Sequence, residues 1–327
     1  MLSSDQMIFD EARSALERWR LGPVISMERA ASGTMNETYL VRTDDRRVVL
    51  RRHRRPEREQ VAFEHDVIAF ARDHDIPAPA AVPSPEGELI IDQDGVFYSL
   101  FEYAVGDQVG KDELTPDHAW AMGRTLVQLH ECLADYPVPE GTHLNRSPDL
   151  DAVASKISSL ISRIEERPAP TEQDGWALEH LRSKAAWLNA APTVDWLPVP
   201  DHAVQLIHGD YQETNLFFVD HAVSAVIDWD KAEARWPVDE VIRTLDLAFR
   251  TDPVLCKPFV EGYRAVRPLP LDDLDHSANN WGFGRVHDHW LFEGVYLRGD
   301  DRLRVFLEPG PFIPFSDNWS RLRPALR

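Results

Sequence analysis

The stretch LIHGDYQETNLFFVDHAVSAVIDWDKA, residues 206–232, constrains the fold of this chain more than any other segment. It contains two apolar runs of strand length, NLFFV and AVSAVID, separated by a two-residue turn. Short apolar runs bounded by turn residues predict a β-hairpin. The hairpin would return Asp228, at the end of the second run, to Asn215, at the start of the first. Asp210 precedes Asn215 by one short loop, so three oxygen-bearing side chains would converge.

Carboxylate and amide oxygens are the ligands that Mg²⁺ prefers, and Mg²⁺ sites combine one or two protein carboxylates with substrate phosphates. Phosphoryl transfer needs such a set, together with a base that orients a hydroxyl and a cation on the phosphates. Polar residues at strand ends are also ordinary turn formers. The spacing H-x-D-x-x-x-x-N, followed thirteen residues later by an aspartate that ends a strand, favours phosphoryl transfer over simple turn formation.

Composition excludes several classes of function. With 327 residues and 43% hydrophobic content, the chain can bury a large core. A formal charge of −20 disfavours nucleic acid or an anionic membrane surface as a partner. The first residues lack a basic segment followed by an apolar core, and no stretch approaches about 18 consecutive apolar residues, so we expect neither signal peptide nor membrane span. The chain has two cysteines, Cys132 and Cys256, which are too few for a disulfide framework. Such low cysteine content favours a location in a reducing cytoplasm.

The first hundred residues predict a small α+β region. The segments ISMERA, TYLVRT and RVVLR, within residues 25–52, have the composition and turn boundaries of antiparallel strands. Residues 57–74 predict a helix whose apolar stripe consists of Phe63, Val67, Phe70 and Ala71. Two further strands, ELIID and GVFYSLFEYA, flank an Asp-Gly hairpin signal.

After Tyr103 the pattern becomes helical. Thr115 and Pro116 form an N-cap and first-turn pair, and long helices are predicted over residues 150–167 and 172–190. Helices resume near Val238, after the predicted hairpin. The sequence therefore predicts an α+β, bilobal fold. Its small N-terminal antiparallel-sheet domain comprises residues 1–104, and its large helical domain comprises residues 105–327.

These motifs resemble those of the aminoglycoside phosphotransferase, choline kinase and type II homoserine kinase superfamily, whose fold is similar to that of protein kinases. The resemblance covers nearly the whole chain, loosely outside the motifs. It implies that Asp210 is the catalytic base, that Asn215 and Asp228 are the Mg²⁺ ligands, and that His208 braces the catalytic loop. Asp239 either steadies that loop, as in the family, or caps the first turn of a helix.

The resemblance also implies a nucleotide site in the N-terminal region. The segment ASGTMNETYLV resembles the loop that covers the phosphates, although it contains a single glycine. Its candidate phosphate contacts are Ser32, Gly33 and Thr34, together with backbone N–H groups. The position of the family's phosphate-binding lysine falls at Arg51, with Glu64 as its helix partner. Arginine keeps the positive charge but differs from lysine in reach and in its donors.

Two further parts of the site are implied. The end of YSLFEYA resembles the hinge that receives adenine, and its candidate contacts are Glu102, Tyr103 and Ala104; an ordinary buried strand end is the alternative. On the acceptor side, Asp230 and Glu233 follow the metal aspartate and would suit an ammonium group. Aromatic residues in HDHWLFEGVYL would add cation–π contacts, unless they form helical core.

The sequence thus predicts a cytoplasmic kinase that uses ATP and Mg²⁺ to phosphorylate a hydroxyl of a small acceptor, with a cationic acceptor as one option. Candidate acceptors are homoserine or another amino alcohol, an amino sugar and an aminoglycoside. Two alternatives stay open. One is a catalytically degenerate nucleotide-binding protein, which the arginine at position 51 allows. The other is a protein kinase, which Asp228-Trp229-Asp230 in place of Asp-Phe-Gly disfavours.

Overall fold

The computed structural model describes residues 4–30, 36–54, 57–138, 150–190 and 196–327. The chain forms two compact units. The first comprises Met1–Val138, Gln205–Ala234 and Pro258–Arg267, and the second comprises Pro139–Val204, Arg235–Lys257 and Pro268–Arg327. The division of the chain at residue 104 stays a prediction. The predicted fold class, an N-terminal antiparallel sheet followed by a mainly helical region, is confirmed.

The first unit begins with helix α1 (Ser4–Leu16) and a five-stranded antiparallel sheet in the order β1-β2-β3-β5-β4. The strands are β1 (Val24–Arg29), β2 (Glu37–Thr43), β3 (Arg47–Arg52), β4 (Ile91–Gln93) and β5 (Val96–Glu102). Alternate residues of β2 are buried, as a strand with one covered face requires. Tyr39, Val48 and Leu100 pack with Trp19 in the core on this side of the sheet. The Asp94-Gly95 turn has φ values of 55° and 80°, which both favour a hairpin of the predicted kind.

Helix α2 (Arg58–Asp73) packs with a face that differs in part from the predicted stripe. Val67 and Ala71 are fully buried, and Glu64 and His65 are nearly so. Phe63 is 37% exposed, and its ring lies 6.0 Å from that of Tyr136. The prediction that Phe63 belongs to the buried stripe was therefore wrong. Apolar residues lie on two adjacent sides of this helix, and their periodicity does not indicate which of the two sides is covered.

Helix α3 (Pro116–Leu133) begins as predicted, with the Thr115 hydroxyl accepting a hydrogen bond from the backbone N–H of His118. It passes very close to the part of helix α7 (Pro253–Arg264) that belongs to the same unit. A Cβ atom at Gly123 would lie 2.0 Å from the carbonyl oxygen of Phe259, and one at Gly262 would lie 2.2 Å from that of Trp120. Glycine at both positions is what allows the two backbones to approach.

Two short sheets follow in the same unit. Strand β6 (Gln205–Ile207) pairs with β9 (Glu233–Arg235), and β7 (Leu216–Val219) pairs antiparallel with β8 (Ala222–Val226). Leu216 lies opposite Val226, and Asp220 turns the chain with φ of 54°. The predicted hairpin over residues 215–228 is thereby confirmed.

The second unit is helical in the residues that are described. Its helices are α4 (Leu150–Glu165), α5 (Glu172–Ala190), α6 (Pro237–Leu247), the first residues of α7, α8 (Leu271–His287), α9 (Trp290–Tyr296) and α10 (Phe315–Leu322). Residues of α4, α5 and α9, including Leu160, Leu181 and Phe292, form one apolar cluster. Within the described ranges, no helix is long and apolar enough to cross a membrane.

A buried carboxylate holds the second unit together. Asp174 is fully buried and accepts hydrogen bonds from the Tyr296 hydroxyl at 2.9 Å and the Thr171 backbone N–H at 2.8 Å. Arg167 and Arg304 each place a guanidinium nitrogen 3.2 Å from it. Burial acts to raise the pKa of Asp174, but these hydrogen bonds outweigh burial and lower the pKa to about 2.

Candidate active site

The loop that follows β6 is held in place by the ring of His208, which is fully buried. Its Nε2 lies 3.0 Å from the carbonyl oxygen of Ile227, and its Nδ1 lies 3.2 Å from the backbone nitrogen of Asp210. A neutral ring that donates from Nε2 and accepts at Nδ1 satisfies both contacts. His208 therefore links the start of the loop to the residue that precedes Asp228.

Two neighbours of Asp210 restrict the loop further. Gly209 has φ of +81°, and a Cβ atom there would lie 2.1 Å from the carbonyl oxygen of Lys231, so only glycine fits. Tyr211 is fully buried, and its hydroxyl donates a hydrogen bond to the carbonyl oxygen of Met122 in α3 at 2.9 Å. The loop is thus fixed on both sides of Asp210, and an acid or base is effective only when it is positioned in this way.

The hairpin brings the two predicted metal ligands to one end. The backbone N–H of Ile227 donates to the carbonyl oxygen of Asn215 at 2.9 Å, which places Asn215 beside the residue that precedes Asp228. The Asn215 side-chain nitrogen donates to the Asp210 carbonyl oxygen at 2.8 Å, and its amide oxygen accepts no hydrogen bond from the described part of the chain. Asp228 has φ of 65°, and its side chain is partly exposed. The Asn215 amide oxygen and the partly exposed Asp228 carboxylate are thus the oxygen donors at this end of the hairpin.

The Asp210 carboxylate has a cationic partner that the sequence reasoning missed. Asp210 is 5% exposed, and its Oδ2 lies 3.1 Å from Nζ of Lys231. Lys231 itself is largely exposed. The available signal was its position three residues after Asp228, in a chain with very few lysines. That signal does not predict a contact with Asp210, which depends on the path of the chain between β8 and β9.

Arg51 joins two acidic residues. Its side chain is 12% exposed; Nη1 lies 2.5 Å from Glu64 Oε1, and Nη2 lies 3.4 Å from Asp228 Oδ1. Burial acts to lower the pKa of Arg51, but the carboxylates of Glu64, Asp228 and Asp230 outweigh burial and raise it. Burial raises the pKa of Glu64 to about 7, against the opposing effect of Arg51. Glu64, the predicted partner of Arg51, is therefore in contact with it, and Asp228, the predicted metal ligand, is its second partner.

The remaining predicted residues lie as follows. Asp230 accepts a hydrogen bond from Nδ2 of Asn36 at 3.5 Å, while Glu233 is exposed at the first residue of β9. Asp230 lines a small pocket with Asn36, His53, Gln60, Val61 and Glu64. Asp239, in the second unit, accepts a hydrogen bond from the Ser277 hydroxyl at 2.6 Å. Ser32, Gly33 and Thr34 lie outside the described residues.

The predicted adenine hinge follows β5. Glu102 ends the strand, and its backbone N–H donates to the carbonyl oxygen of Ala80 at 2.8 Å. The guanidinium of Arg47 lies 4.1 Å from the centre of the Tyr103 ring. The backbone N–H of Ala104 donates to no other residue in the described segments. A donor of this kind is available to a ligand, although the role of the three residues stays a prediction.

The side chains of Asn215 and Asp228 can supply two of the oxygen ligands that a magnesium ion requires. Among the described residues, no group of three or more His, Cys, Asp or Glu side chains could hold a metal ion. Magnesium in phosphoryl-transfer sites takes one or two protein carboxylates and completes its shell with phosphate oxygens and water. Asp228 with the amide oxygen of Asn215 fits a cation that arrives with a nucleotide, and does not fit a closed protein-only metal site.

The fold thus combines a small antiparallel sheet, a helix glutamate paired with a strand arginine, and a loop with Asp210 that precedes a β-hairpin. These are the parts that a kinase-like phosphotransferase requires. Residues 26–273 match the profile of the Phosphotransferase enzyme family. The match covers well over half of the chain, so the chain belongs to this family and is a small-molecule kinase. The predicted resemblance is confirmed.

Curated relatives include homoserine kinases. The chain is 26% identical to the homoserine kinase of Agrobacterium fabrum over 298 residues, which cover 86% of each protein. It is 24% identical to the homoserine kinase of Methylobacillus flagellatus over 275 residues, which cover 83% of this chain and 79% of that one.

Solved structures of the same fold include three kinases. A spectinomycin phosphotransferase in complex with ADP and spectinomycin has a TM-score of 0.65 and 14% identity, covering 99% of this chain and 94% of that one. An amicoumacin kinase in complex with AMP-PNP and Ca²⁺ has a TM-score of 0.62 and 16% identity, covering 99% and 93%. A microcompartment-associated aminopropanol kinase has a TM-score of 0.59 and 20% identity, covering 97% and 95%. At these identities the likeness concerns the fold.

Proposed function

We propose that this kinase transfers the γ-phosphoryl group of ATP, bound with Mg²⁺, to a hydroxyl of a small acceptor that also carries an amine. The observation that carries the proposal is the placement of Asp210. Its carboxylate is nearly buried, its backbone is bonded to His208, and its loop also supplies Asn215. The complexes of two relatives with ADP and AMP-PNP support an adenine nucleotide as the donor.

The acceptor class rests on the relatives and on local charge. Homoserine and aminopropanol, the substrates named for two groups of relatives, each carry a hydroxyl and an amine. In this chain Asp230 and Glu233 follow the metal aspartate and are the proposed contacts of the ammonium group. The net charge of −20 favours the approach of a cationic acceptor.

In the proposed reaction, Asp210 orients the acceptor hydroxyl and accepts its proton as the new P–O bond forms and the bond to ADP breaks. Lys231 places its ammonium nitrogen 3.1 Å from the Asp210 carboxylate, which puts a positive charge beside the proposed base. Arg51 offsets the negative charge of the phosphates. Asp228 and the amide oxygen of Asn215 would hold Mg²⁺, which when bound neutralises charge on the phosphate oxygens.

Replacing Asp210 with asparagine tests the proposal. A coupled ADP-release assay across homoserine, aminopropanol, amino sugars and aminoglycosides first identifies the acceptor. The variant should then lose roughly 10²- to 10⁴-fold in kcat, the usual contribution of a positioned base, while Mg-ATP affinity changes by less than about threefold. Asp220→Asn is a matched control, because Asp220 is exposed at the hairpin turn and asparagine also tolerates its φ of 54°. Normal turnover in the Asp210 variant would exclude this residue as the base.

A second candidate function is nucleotide binding without phosphoryl transfer. Arg51 favours it, because arginine occupies the position where the resembling family carries lysine. The same screen separates the two functions. Release of ADP with one acceptor supports the kinase, whereas Mg-ATP binding without release for any acceptor class supports the second candidate.

A further inference from the structure

A buried polar cluster lies directly behind the pair formed by Arg51 and Glu64. His53 and His65 are both buried, and Ser99 is 0% exposed. Nε2 of His53 lies 2.9 Å from the Ser99 hydroxyl oxygen, and Nε2 of His65 lies 2.8 Å from the same atom. One hydroxyl therefore contacts two imidazole rings in a region without access to bulk water.

The cluster connects the two elements that carry the ion pair. His53 directly follows β3, two residues after Arg51, and His65 is the neighbour of Glu64 in α2. Ser99 lies opposite Arg51 in the pairing of β3 with β5. The two contacts of Ser99 thus join the end of the strand that bears Arg51 to the helix that bears Glu64.

The protons of the cluster can be placed from its geometry. Nδ1 of His65 is buried and has no hydrogen-bond partner among the described residues. A buried N–H without an acceptor destabilises more than an unused lone pair, so the His65 proton belongs on Nε2 and is donated to Ser99. The serine hydroxyl has one proton, which it then donates to Nε2 of His53. His53 consequently carries its own proton on Nδ1.

Nδ1 of His53 faces Glu64, with Oε2 of the carboxylate 4.0 Å away. An N–H dipole directed at a carboxylate stabilises its ionised form, and this matters because burial raises the pKa of Glu64 to about 7. Both rings are uncharged at neutral pH: burial is the main cause that lowers the pKa of His53 to about 2 and that of His65 to about 4.

We propose that His65, Ser99 and His53 form a directed hydrogen-bond relay, from His65 through Ser99 to His53, whose Nδ1 lies near the Glu64 carboxylate, and that this relay positions the Arg51–Glu64 pair for nucleotide phosphates. The three residues are positioning residues and act through Glu64. Their effect on nucleotide binding rests on the proposed function, whereas the proton arrangement does not. His53 and Glu64 also line the small pocket that Asp230 lines, so the relay ends at the wall of that pocket.

Long-range ¹H–¹⁵N NMR spectra of the histidine side chains test the arrangement directly in the wild-type protein. The expected result at pH 7 is a neutral Nδ1–H form for His53 and a neutral Nε2–H form for His65, assigned through the signals lost in His53→Asn and His65→Asn. The opposite form of either ring, or a charged ring, would overturn the relay. This readout is independent of nucleotide and acceptor.

Calorimetric titration with Mg-ATP tests the consequence. Ser99→Ala removes both contacts and should weaken Mg-ATP binding about tenfold. Ser84→Ala is the matched control: Ser84 is buried in the same unit, and its hydroxyl likewise takes part in two hydrogen bonds, here accepted from the backbone N–H groups of Glu86 and Glu88. It should change the affinity by less than twofold. In a Glu64→Gln background, which has no carboxylate to orient, Ser99→Ala should also change it by less than twofold.

The outcomes separate the two proposals. A wild-type protein that fails to bind Mg-ATP would overturn the proposed function, while the NMR result would still decide the relay. A wild-type protein that binds Mg-ATP, with Ser99→Ala binding equally well, would overturn the relay alone. If Ser99→Ala weakens Mg-ATP binding equally with Glu64 and in the Glu64→Gln background, Ser99 supports the fold and not the ion pair. That result would also overturn the relay.

Discussion

Replacing Arg51 with lysine isolates what the guanidinium contributes beyond one positive charge. The two terminal nitrogens of Arg51 have different partners, Glu64 at 2.5 Å and Asp228 at 3.4 Å. Lysine carries one ammonium group on a shorter stem, so it can keep one of these contacts but not both. The contact to Glu64 is the shorter one and lies deeper in the protein. We therefore expect the contact to Asp228 to be lost.

The size of the effect follows from the kind of bond that is lost. The contact of Arg51 with Asp228 is an ion pair; exposed pairs contribute up to about 1 kcal/mol, partly buried pairs contribute more, and every 1.4 kcal/mol changes an affinity about tenfold. The side chain of Arg51 is 12% exposed and that of Asp228 is 31% exposed, so solvent screens the pair only in part and its contribution should be about 1.4 kcal/mol. We expect Arg51→Lys to raise the Kd of Mg-ATP about tenfold.

Titration calorimetry with Mg-ATP in the absence of acceptor measures this change without knowledge of the substrate. Arg42→Lys, an exposed position of β2, is the control and should leave the Kd within about twofold, as is usual for surface substitutions. A Kd for Arg51→Lys within twofold of wild type would refute the reasoning from the two-partner geometry. Tighter binding by the lysine variant would refute it as well, and would mean that arginine hinders the nucleotide.

Three further perturbations have defined outcomes. Asp174→Asn should lower the free energy of unfolding by about 2.5 kcal/mol at pH 7 in urea titrations, because the pKa falls from 3.8 to about 2 and each unit is worth about 1.36 kcal/mol. Since the folded pKa is the lower one, this stabilisation is present above pH 4 and disappears as the pH falls through 2. Gly209→Ala should lower Tm and turnover far more than Gly22→Ala. The two φ values, 81° and 82°, are nearly equal, but a Cβ atom at position 209 would collide with the carbonyl oxygen of Lys231, whereas one at position 22 would meet no atom within 4 Å. Asp228→Ala should abolish the dependence of ATP affinity on Mg²⁺, measured by titration with and without EDTA.

Much of the candidate site is local in the sequence. Asp210, Asn215 and Asp228 lie within one loop and one hairpin. Two short apolar runs joined by a two-residue turn pair as a hairpin, which returns Asp228 to the end that holds Asn215. For the same reason the capped start of α3 and the Asp94-Gly95 turn follow from their own residues. Hydrophobic periodicity and turn chemistry act over a few residues, and these features need nothing more.

Contacts between distant segments depended on the packing of whole elements. Three contacts join segments whose sequence patterns do not predict that they meet. These are the contact of Lys231 with Asp210, that of Arg51 with Asp228, and those of His53 and His65 with Ser99. The exposure of Phe63 also depends on how whole elements pack, because periodicity indicates which residues share a helix face but not which face is covered.

The sequence by itself thus determined the α+β order of elements, the phosphotransferase motif and the loop that holds Asp210, since all of these are set by spacing along the backbone. Only the tertiary structure decided that Arg51 bridges Glu64 and Asp228, and that a buried serine lies behind that pair. Those contacts arise when apolar faces are buried together, which fixes the partners of each polar side chain that is carried into the interior.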